Sequence, residues 1–391
     1  MKRKEVNSSR TPVYRDSGFE LYDAGITAGA FENEKNPARE PELYIYSRYR
    51  NPTVVSAEEE ILKLEECKWA LLTQSGMSAI EVALSVFQAG KETGSWLFFT
   101  EIYGGTISFI ESVLVKRRGI DIHYFTPENG RYDLNNLEKT VSELKPKVLY
   151  VETISNPMVI VADIPEIIRI GKKHGCRIIV DNTFATPLLI KPLDEGADLV
   201  VHSATKYFSG HGNITAGVIC GNDDSLMKEA LEYRKFVGHM ISPDDAYRLQ
   251  TQLQTFSLRF GRQCSNALKL ASLLDKSDAI SRVWYPGLKD HATNDIATKL
   301  FRGIGFGAMI TFDIDGKDKT QKRSRRDAFI RNVSDHIKLI PTLGDYKTIL
   351  MPVEAVWGVK YPEPGMIRLS IGFEQYDELE AIITKALGEI G

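Results

Sequence analysis

Short apolar segments alternate with amphipathic helical patterns between residues 69 and 220, and this alternation constrains the fold more than any other feature. The apolar segments are nearly continuous runs of Val, Ile, Leu, Phe and Tyr. Strands of that composition are buried on both faces, and helices between them are typical of a parallel sheet. We therefore predict an α/β fold with a mostly parallel central sheet covered by helices. The predicted strands span 69–73, 96–100, 120–125, 147–153, 177–183 and 198–205. The predicted helices span 77–88, 106–116, 134–144 and 163–174, the last with Asp163 as N-cap.

The pattern changes after residue 221, where the chain becomes mainly helical as far as about residue 276. A smaller α/β region follows, and the first 50 residues lack periodicity, which indicates an irregular arm. We predict an arm over 1–50, an α/β domain over 51–245 and a C-terminal domain over 246–391 that contains a long connecting helix. The C-terminal predictions are strands near 307–314 and 366–371 and helices near 323–335 and 374–388.

Charge and composition exclude several classes of protein. The 49 basic and 52 acidic side chains give a formal net charge of −3, which argues against a nucleic-acid-binding protein. The most apolar window, residues 69–89, is interrupted by Gln74, Glu81 and Gln88, so we predict no membrane-spanning helix. The four cysteines are far apart, which excludes a disulfide scaffold and fits a reducing compartment. We expect a cytoplasmic protein with neither nucleic-acid nor membrane partners.

A basic run, KDKTQKRSRR at 317–326, is the strongest local charge feature. An anionic partner would be one interpretation, but the run contains no aromatic residue and the chain as a whole is slightly acidic. We therefore interpret the run as a solvated loop that leads into a helix.

Polar clusters follow several predicted strands at the point where each strand ends. Asp181-Asn182-Thr183 follows one strand, Ser203-Ala204-Thr205-Lys206 follows the next, and Glu152-Thr153 follows a third. Ser75-Gly76-Met77 follows the strand at 69–73 and opens a helix. Because open α/β sheets bind ligands at the carboxyl ends of their strands, we predict that these clusters form one site.

Lys206 has three interpretations from the residues alone. It is a surface lysine, part of an S-x-x-K acyl-enzyme motif with Ser203, or a Schiff-base lysine beside a bound phosphate. The S-D-N and K-T-G strings that accompany S-x-x-K are absent. The third interpretation needs an acid for a pyridinium nitrogen, which Asp181 supplies, and a helix N-terminus for a phosphate, which Gly76 and Met77 supply.

Dinucleotide and metal sites fit less well. No G-x-G-x-x-G joins an early strand to a helix, and the P-loop string is absent. His202 and His211 are nine residues apart without a matching ligand pattern, so we predict no metal site and interpret His202 as a packed residue at a strand end.

The chain resembles the pyridoxal 5′-phosphate (PLP) enzymes of cysteine and methionine metabolism, which include cystathionine γ-synthase, cystathionine γ-lyase, methionine γ-lyase and O-acetylhomoserine sulfhydrylase. The matching strings occur in family order from about residue 11 to the C-terminus. VDNT together with SATKY is the most specific part of the match. The strings are YSRYRNPT (46–53), SGMSAI (75–80), YGGT (103–106), ETISNP (152–157), VDNTFATP (180–187), HSATKYFSGH (202–211) and IRLSIGFE (367–374).

The resemblance implies PLP fold type I, the aspartate-aminotransferase-like fold, and a catalytic role for three residues. Lys206 would bind PLP covalently and move protons on the substrate. Asp181 would pair with the pyridine nitrogen, with Thr183 orienting that region, and Tyr103 would stack on the ring and assist proton transfer. The implied phosphate ligands are Gly76, Met77, Ser203 and Thr205.

The resemblance also implies a substrate-carboxylate site and a shared active site. Arg368 would bind the α-carboxylate, with Asn156 and Thr342 assisting. Tyr46 and Arg48 would reach the phosphate site of a neighbouring subunit, and Tyr46 would also contact its substrate. A dimer is then the smallest catalytic unit, and members of this family usually form tetramers.

The implied reaction is γ-elimination on a sulfur- or oxygen-substituted homocysteine or homoserine derivative, which gives 2-oxobutanoate and ammonia. The alternative is γ-replacement, in which a thiol takes the position of the leaving group, as in a synthase or sulfhydrylase. A non-catalytic relative is a further alternative, which the intact Lys206, Asp181, Tyr103 and Arg368 disfavour.

Three positions bear on specificity within the family. Gly105 stands where methionine γ-lyases carry cysteine, and the resulting YGGT string matches cystathionine γ-lyase. Arg50 replaces the usual glycine of a Y-S-R-Y-G-N-P string and is expected near the neighbouring subunit's site. Lys347 stands where cystathionine enzymes usually have glutamate. Because both replacements are cationic, we predict a substrate whose distal part is neutral or anionic.

Overall fold

The structure is a computed structural model that describes residues 8–34, 41–88, 90 and 94–390. Its larger sheet has seven strands in the order β1-β7-β6-β5-β4-β2-β3. Only β7 runs antiparallel to its neighbours, so the prediction of a mostly parallel α/β sheet is confirmed. The strands are β1 Trp69–Thr73, β2 Trp96–Phe99, β3 Ile122–Phe125, β4 Val148–Glu152, β5 Arg177–Asp181, β6 Leu199–His202 and β7 Gly217–Gly221.

A second sheet of five strands forms the C-terminal part, in the order β10-β11-β12-β9-β8. The strands near 307–314 and 366–371 were predicted from the sequence, and they correspond to β9 and β12. The strands are β8 Ile280–Trp284, β9 Met309–Ile314, β10 Lys338–Leu339, β11 Ile349–Pro352 and β12 Met366–Ser370.

Helices cover both sheets and begin at sequence signals that are visible in the chain. Ser75 caps α3 by accepting a hydrogen bond from Ser78 N (3.1 Å), and Asp133 caps α5 in the same way. Asp163 precedes α6 as predicted, but its side chain makes no capping hydrogen bond and instead lies 3.5 Å from Lys299 Nζ. The helices are α1 Ala24–Asn33, α2 Pro52–Glu65, α3 Gly76–Ser85, α4 Gly104–Phe109, α5 Leu134–Leu144, α6 Ile164–Lys173, α7 Thr186–Leu189, α8 Asp224–Val237, α9 Pro243–Leu253, α10 Phe256–Leu274, α11 Asn294–Leu300, α12 Lys319–Val333, α13 Val353–Trp357 and α14 Tyr376–Gly388, with a π-helical turn at Ile110–Val115 and a 3₁₀ turn at Gly358–Lys360.

The long helix α10 connects the two hydrophobic cores. Phe256, Phe260 and Cys264, on its first half, pack in the core around the seven-stranded sheet. Leu270 and Leu274, on its second half, pack in the core of the C-terminal sheet. A long connecting helix was expected close to this place, and the division of the chain at residues 50 and 245 stays a prediction.

The basic run at 317–326 is not a solvated loop, because α12 begins at Lys319 and includes most of it. Lys322 Nζ lies 2.5 Å from Asp313 Oδ2, and Arg326 Nη1 lies 2.9 Å from Glu354 Oε2. These pairs attach the helix to neighbouring parts of the C-terminal domain. The loop part of the interpretation was therefore wrong, because the acidic partners are distant in sequence, whereas residues 317–320, 323 and 324 are exposed as expected.

Candidate active site

The carboxyl ends of β4 and β5 and the loop after β6 meet the N-terminus of α3 around a cavity of about 250 Å³. Strand β12 and the loop before β11, both from the C-terminal sheet region, line the other side of the cavity. Most of the residues predicted for the site line this cavity. They are Gly76, Met77, Tyr103, Asn156, Asp181, Thr183, Ser203, Thr205, Lys206, Thr342 and Arg368.

The amine of Lys206 lies in the cavity, where it contacts the loop before β11. Its Nζ donates to Thr342 Oγ1 at 2.8 Å. Burial, together with the positive charge of Arg368, lowers the pKa of Lys206 to about 8. Gly344 packs against the backbone of Lys206, where a Cβ would lie 2.8 Å from the Lys206 carbonyl carbon, and its φ of +80° also favours glycine. The lysine is therefore held in a tight turn with an amine that loses its proton readily.

Asp181 ends β5, and its carboxylate is held by hydrogen bonds on both oxygens. Oδ1 accepts from Thr183 N (3.0 Å) and Thr183 Oγ1 (2.6 Å), and Oδ2 accepts from Tyr150 OH (3.1 Å). Burial raises the pKa of Asp181, and the hydrogen bonds from Thr183 act against that rise. Thr183 Oγ1 also accepts from Ser203 N (2.9 Å), which ties Asp181 to the lysine loop. A buried carboxylate fixed in this way is suited to face a cationic ring nitrogen.

The N-terminus of α3 approaches the lysine loop closely enough to require a glycine. A Cβ on Gly76 would lie 2.8 Å from Ser203 Cβ and 2.9 Å from Ser203 Oγ. The helix dipole and the first N–H groups of α3 favour an anion at this position. The hydroxyl of Thr205 donates to Ala216 O (3.1 Å) and accepts from Ala216 N (2.9 Å). These two hydrogen bonds fix the backbone of Ala216 beside the cavity.

Arg368, on β12, has the arrangement expected of a carboxylate-binding group. Its Nη1 donates to Asn156 Oδ1 (3.0 Å) and its Nη2 to Thr342 O (3.0 Å). Its Nε is buried without a hydrogen-bond partner among the described residues. Burial lowers the pKa of Arg368 to about 10. The neighbours thus fix the guanidinium through Nη1 and Nη2, and its Nε remains a donor without a partner among the described residues.

Tyr103 is 51% exposed at the mouth of the cavity, and its backbone is held by a buried acid. Tyr103 N donates to Glu152 Oε1 at 2.6 Å. A Cβ on Gly105 would lie 2.4 Å from Cε1 of Tyr103, so a larger residue there would require the ring to move. The glycine of the YGGT string therefore sets the position of the tyrosine ring.

The sequence analysis placed Glu152 among the polar clusters of the site without assigning it a function, and it did not single out Tyr150, although both residues contact the site. Glu152 lines the cavity and lies directly opposite Asp181 in the β4–β5 ladder. Burial and the neighbouring carboxylate of Asp181 raise the pKa of Glu152 well above its usual range. The position of Glu152 after a buried strand was the available signal. Tyr150 carried no such signal, because it lies in the middle of the apolar run of β4 and looks like any other core residue.

Tyr46 and Arg48 do not line the cavity. Arg48 donates to Lys235 O, and its guanidinium lies 5.5 Å from the ring centroid of Tyr46. Tyr46 is 39% exposed. Their proposed site in a neighbouring subunit stays a prediction, and it agrees with their position outside the cavity of their own chain.

The expected place of Arg50 near the neighbouring subunit's site mouth stays a prediction. Arg50 is buried in its own chain, 3.4 Å from Glu58 Oε2. Lys347 is exposed and does not line the cavity, with its Nζ 5.8 Å from the ring centroid of Tyr346. His202 is packed as predicted, because it is buried and its Nε2 lies 2.6 Å from Glu65 Oε1.

Four features of the cavity fit PLP in particular. They are an amine of lowered pKa, a fixed carboxylate, a helix N-terminus too close for a Cβ, and an arginine with a free donor edge. The family described as Cys/Met metabolism PLP-dependent enzyme matches residues 1–388. The chain belongs to this family. It is a PLP-dependent enzyme, and its relatives include lyases, synthases and sulfhydrylases that act on small amino acids.

Similar proteins cover nearly the whole chain. Cystathionine beta-lyase of Lactococcus lactis subsp. cremoris is 35% identical over 98% of this chain and 95% of the relative. L-methionine gamma-lyase of Fusobacterium nucleatum subsp. polymorphum is 33% identical over 97% of this chain and 93% of the relative. The crystal structure of cystathionine gamma synthase from Xanthomonas oryzae pv. oryzae in complex with cystathionine is 26% identical, with a TM-score of 0.84 over 97% of this chain and 93% of that one. This likeness confirms the α/β fold of type I.

Among the described residues, no helix has the length and apolar character needed to cross a membrane. Within the same residues, no group of three or more His, Cys, Asp and Glu side chains could hold a metal ion.

Proposed function

We propose that this enzyme catalyses γ-elimination on a sulfur- or oxygen-substituted homocysteine or homoserine derivative. In that reaction the Cγ–S or Cγ–O bond breaks, the leaving group takes up a proton, and hydrolysis gives 2-oxobutanoate and ammonia. The observation that carries the proposal is the single cavity that contains the amine of Lys206 and the free edge of Arg368. γ-Elimination removes protons from two adjacent carbons, and a tethered amine with a pKa of about 8 can exchange protons at both.

The side chains of the cavity would divide the work as follows. Arg368, held by Asn156 and Thr342, would bind the α-carboxylate and so fix the substrate's carbon chain near Lys206. Gly76, Met77 and Ser203 would hold the phosphate of PLP at the N-terminus of α3. Asp181 would accept a hydrogen bond from the ring nitrogen. When bound, PLP supplies a protonated ring that withdraws electrons from the substrate's α-carbon.

Lys206 and Tyr103 would move the protons. The amine of Lys206, once free, takes the Cα proton and then exchanges protons with Cβ, because its side chain is long enough to follow both carbons. Tyr103, at the mouth of the cavity, would lie near the departing group and donate a proton to it.

Products distinguish this reaction from those of the similar proteins. We would supply L-cystathionine, L-methionine and O-acetylhomoserine in turn, and measure 2-oxobutanoate, pyruvate and ammonia. γ-Elimination gives 2-oxobutanoate and ammonia without an added thiol. β-Elimination of cystathionine gives pyruvate instead, and pyruvate as the only oxo acid would overturn the proposal.

γ-Replacement is the second candidate, supported by the structural similarity to a synthase in complex with cystathionine. The same assays with added cysteine or sulfide separate the two reactions. A thioether or thiol product that forms only with the added nucleophile, with no 2-oxobutanoate in its absence, would favour replacement. Lys206→Ala is the matched control, since it should abolish both reactions and the visible absorbance of lysine-bound PLP.

Substrate charge is a separate part of the proposal. Arg50 is buried and paired with Glu58 in its own chain, whereas Lys347 is exposed. Lys347 is therefore the cation whose effect on the distal part of the substrate we would test first. We expect Lys347→Glu to shift kcat/KM towards cystathionine, whose distal end carries an ammonium group. An unchanged ratio between cystathionine and O-acetylhomoserine would show that Lys347 does not act on the substrate.

We also propose that two subunits share each active site. Tyr46 and Arg48 lie outside their own cavity. Exposed aromatic side chains occur on the same arm and on the end of α8 that Arg48 contacts, including Tyr22 and Phe236, which are 81% and 69% exposed. Clustered exposed apolar side chains mark a surface that another chain covers.

A further inference from the structure

Residues 353–361 leave β11 as α13 and a 3₁₀ turn, and we call them the Trp357 segment. The ring centroid of Trp357 lies 5.4 Å from Cζ of Arg368. A guanidinium within about 6 Å of an indole ring is attracted by the negative face of that ring. Trp357 is not among the residues that line the cavity, so its contact with the site runs through Arg368.

Ion pairs hold the beginning of the Trp357 segment. Glu354 Oε1 lies 2.6 Å from Arg323 Nη2, and Glu354 Oε2 lies 2.9 Å from Arg326 Nη1. Both arginines belong to the basic run of α12 that the sequence singled out. The run therefore fastens this segment to the helix of the C-terminal domain.

The other end of the segment is attached to the seven-stranded sheet, just before Tyr103. Lys360 Nζ lies 2.9 Å from Glu101 Oε1 and donates to Thr100 O at 2.9 Å. The hydroxyl of Tyr361 donates to the other oxygen of Glu101. The segment is thus fixed at both ends, with Trp357 between its two attachments.

The contact with Trp357 matters because Arg368 carries a buried positive charge. It is buried, and no carboxylate pairs with it among the described residues, so its charge has no counter-ion there. Asn156 and the carbonyl of Thr342 hold two of its nitrogens, and neither contact supplies a negative charge. The indole face of Trp357 offsets part of the cost of burying the cation while leaving its N–H edge free.

We propose that Trp357 is a positioning residue, which holds the guanidinium of Arg368 in the orientation that receives the substrate α-carboxylate. The inference rests on the carboxylate role proposed above for Arg368. It does not depend on whether the reaction is elimination or replacement, because both begin with the same bound amino acid.

The test measures the binding of two small ligands to the PLP-loaded enzyme. Glycine carries an amine and a carboxylate but no side chain, whereas methylamine carries the amine alone. Their dissociation constants are read from the change in the visible spectrum of the bound cofactor. We expect Trp357→Leu to weaken glycine binding about tenfold and methylamine binding less than about twofold, since only glycine uses Arg368. Trp357→Phe keeps an aromatic face and should weaken glycine binding less than about threefold.

Arg368→Met is the reference variant in the same assay. If Arg368→Met weakens glycine binding and Trp357→Leu leaves it unchanged, Trp357 has no positioning role and the inference is wrong. If Arg368→Met itself leaves glycine binding unchanged, the proposed carboxylate role of Arg368 fails. If Trp357→Leu does not fold, Lys360→Met provides the test. Releasing one end of the Trp357 segment should also weaken the binding of glycine more than the binding of methylamine. Equal effects of Lys360→Met on glycine and methylamine would contradict the inference.

Discussion

The amine of Lys206 shows how a single residue is adapted to its chemistry by its surroundings. With a pKa of about 8 instead of the ordinary 10.5, about one amine in ten is neutral at pH 7, against about one in three thousand for an ordinary lysine. The shift is downward because burial and the charge of Arg368 both disfavour the ammonium form.

We therefore predict that the rate of PLP uptake by the apoprotein rises about tenfold per pH unit below pH 8 and levels off above it, since the neutral amine is the nucleophile. The measurement is the growth of visible absorbance across the pH range. Arg368→Met removes a nearby positive charge and should move the midpoint to higher pH. A rate that continues to rise steeply up to pH 10 would show that the amine has an ordinary pKa.

Glu152 and Asp181 are neighbouring carboxyl groups with different surroundings. Asp181 accepts three hydrogen bonds, whereas Glu152 is buried beside the Asp181 carboxylate, which raises the pKa of Glu152. This rise in pKa favours the protonated form of Glu152, whose Oε1 accepts the hydrogen bond from Tyr103 N.

Glu152→Gln is then expected to keep kcat within about threefold of the wild type, because the amide reproduces the neutral acid and its acceptor oxygen. Glu152→Ala leaves the N–H of Tyr103 without its partner and should lower kcat by about tenfold or more. Steady-state kinetics of the two variants give the comparison. A large loss in Glu152→Gln would mean that an ionised Glu152 is required.

Among the elements, α10 has a direct effect on the lysine loop. Arg259 on this helix donates to Tyr207 O and Phe208 O, each at 3.0 Å, just after Lys206. Its Nη1 occupies the place where a Cβ of Gly210 would stand, 1.6 Å away. Position 210 must therefore be glycine for Arg259 to reach the two carbonyls.

We predict that Arg259→Met destabilises the protein by about 2–4 kcal/mol, because two buried carbonyls lose their charged donor. The expected signs are a lower urea midpoint and faster loss of PLP on dilution. Arg331→Met, on α12, is the control, and it should change neither. Normal stability and cofactor retention in Arg259→Met would show that the lysine loop holds its shape without α10.

Helices and strands could be predicted where a short stretch of sequence carries the pattern that defines them. Most strands of the large sheet are nearly continuous apolar runs, and six of the seven, β1 to β6, were predicted within a few residues. Strand β8 was missed because its sequence, ISRVW, contains polar residues that face solvent, and β10 is only two residues long.

The same distinction applies to the site. Residues at strand ends were found because parallel strands bring their carboxyl ends together. The pairing of Arg50 with Glu58 and the contact of Trp357 with Arg368 join residues that no spacing in the sequence brings together.

At the scale of the whole molecule, the position of Tyr46 and Arg48 bears on how subunits assemble. Their own cavity lacks them, and their arm presents aromatic side chains to solvent. If they complete a neighbour's site, a chain that lacks Lys206 can still assist a chain that lacks Arg48.

Mixing two inactive variants tests this directly. Lys206→Ala and Arg48→Ala should each be inactive alone. The first variant lacks the amine, and the second lacks the group that Arg48 would contribute to the phosphate site of its partner. After unfolding and refolding together, half of the dimers are mixed, and each mixed dimer has one complete site, so about a quarter of the wild-type activity should return. A mixture of Lys206→Ala with Asp181→Ala is the control and should stay inactive, because both residues belong to the same chain's cavity. If the first mixture also stays inactive although mixed dimers form, Arg48 acts within its own chain or not at all.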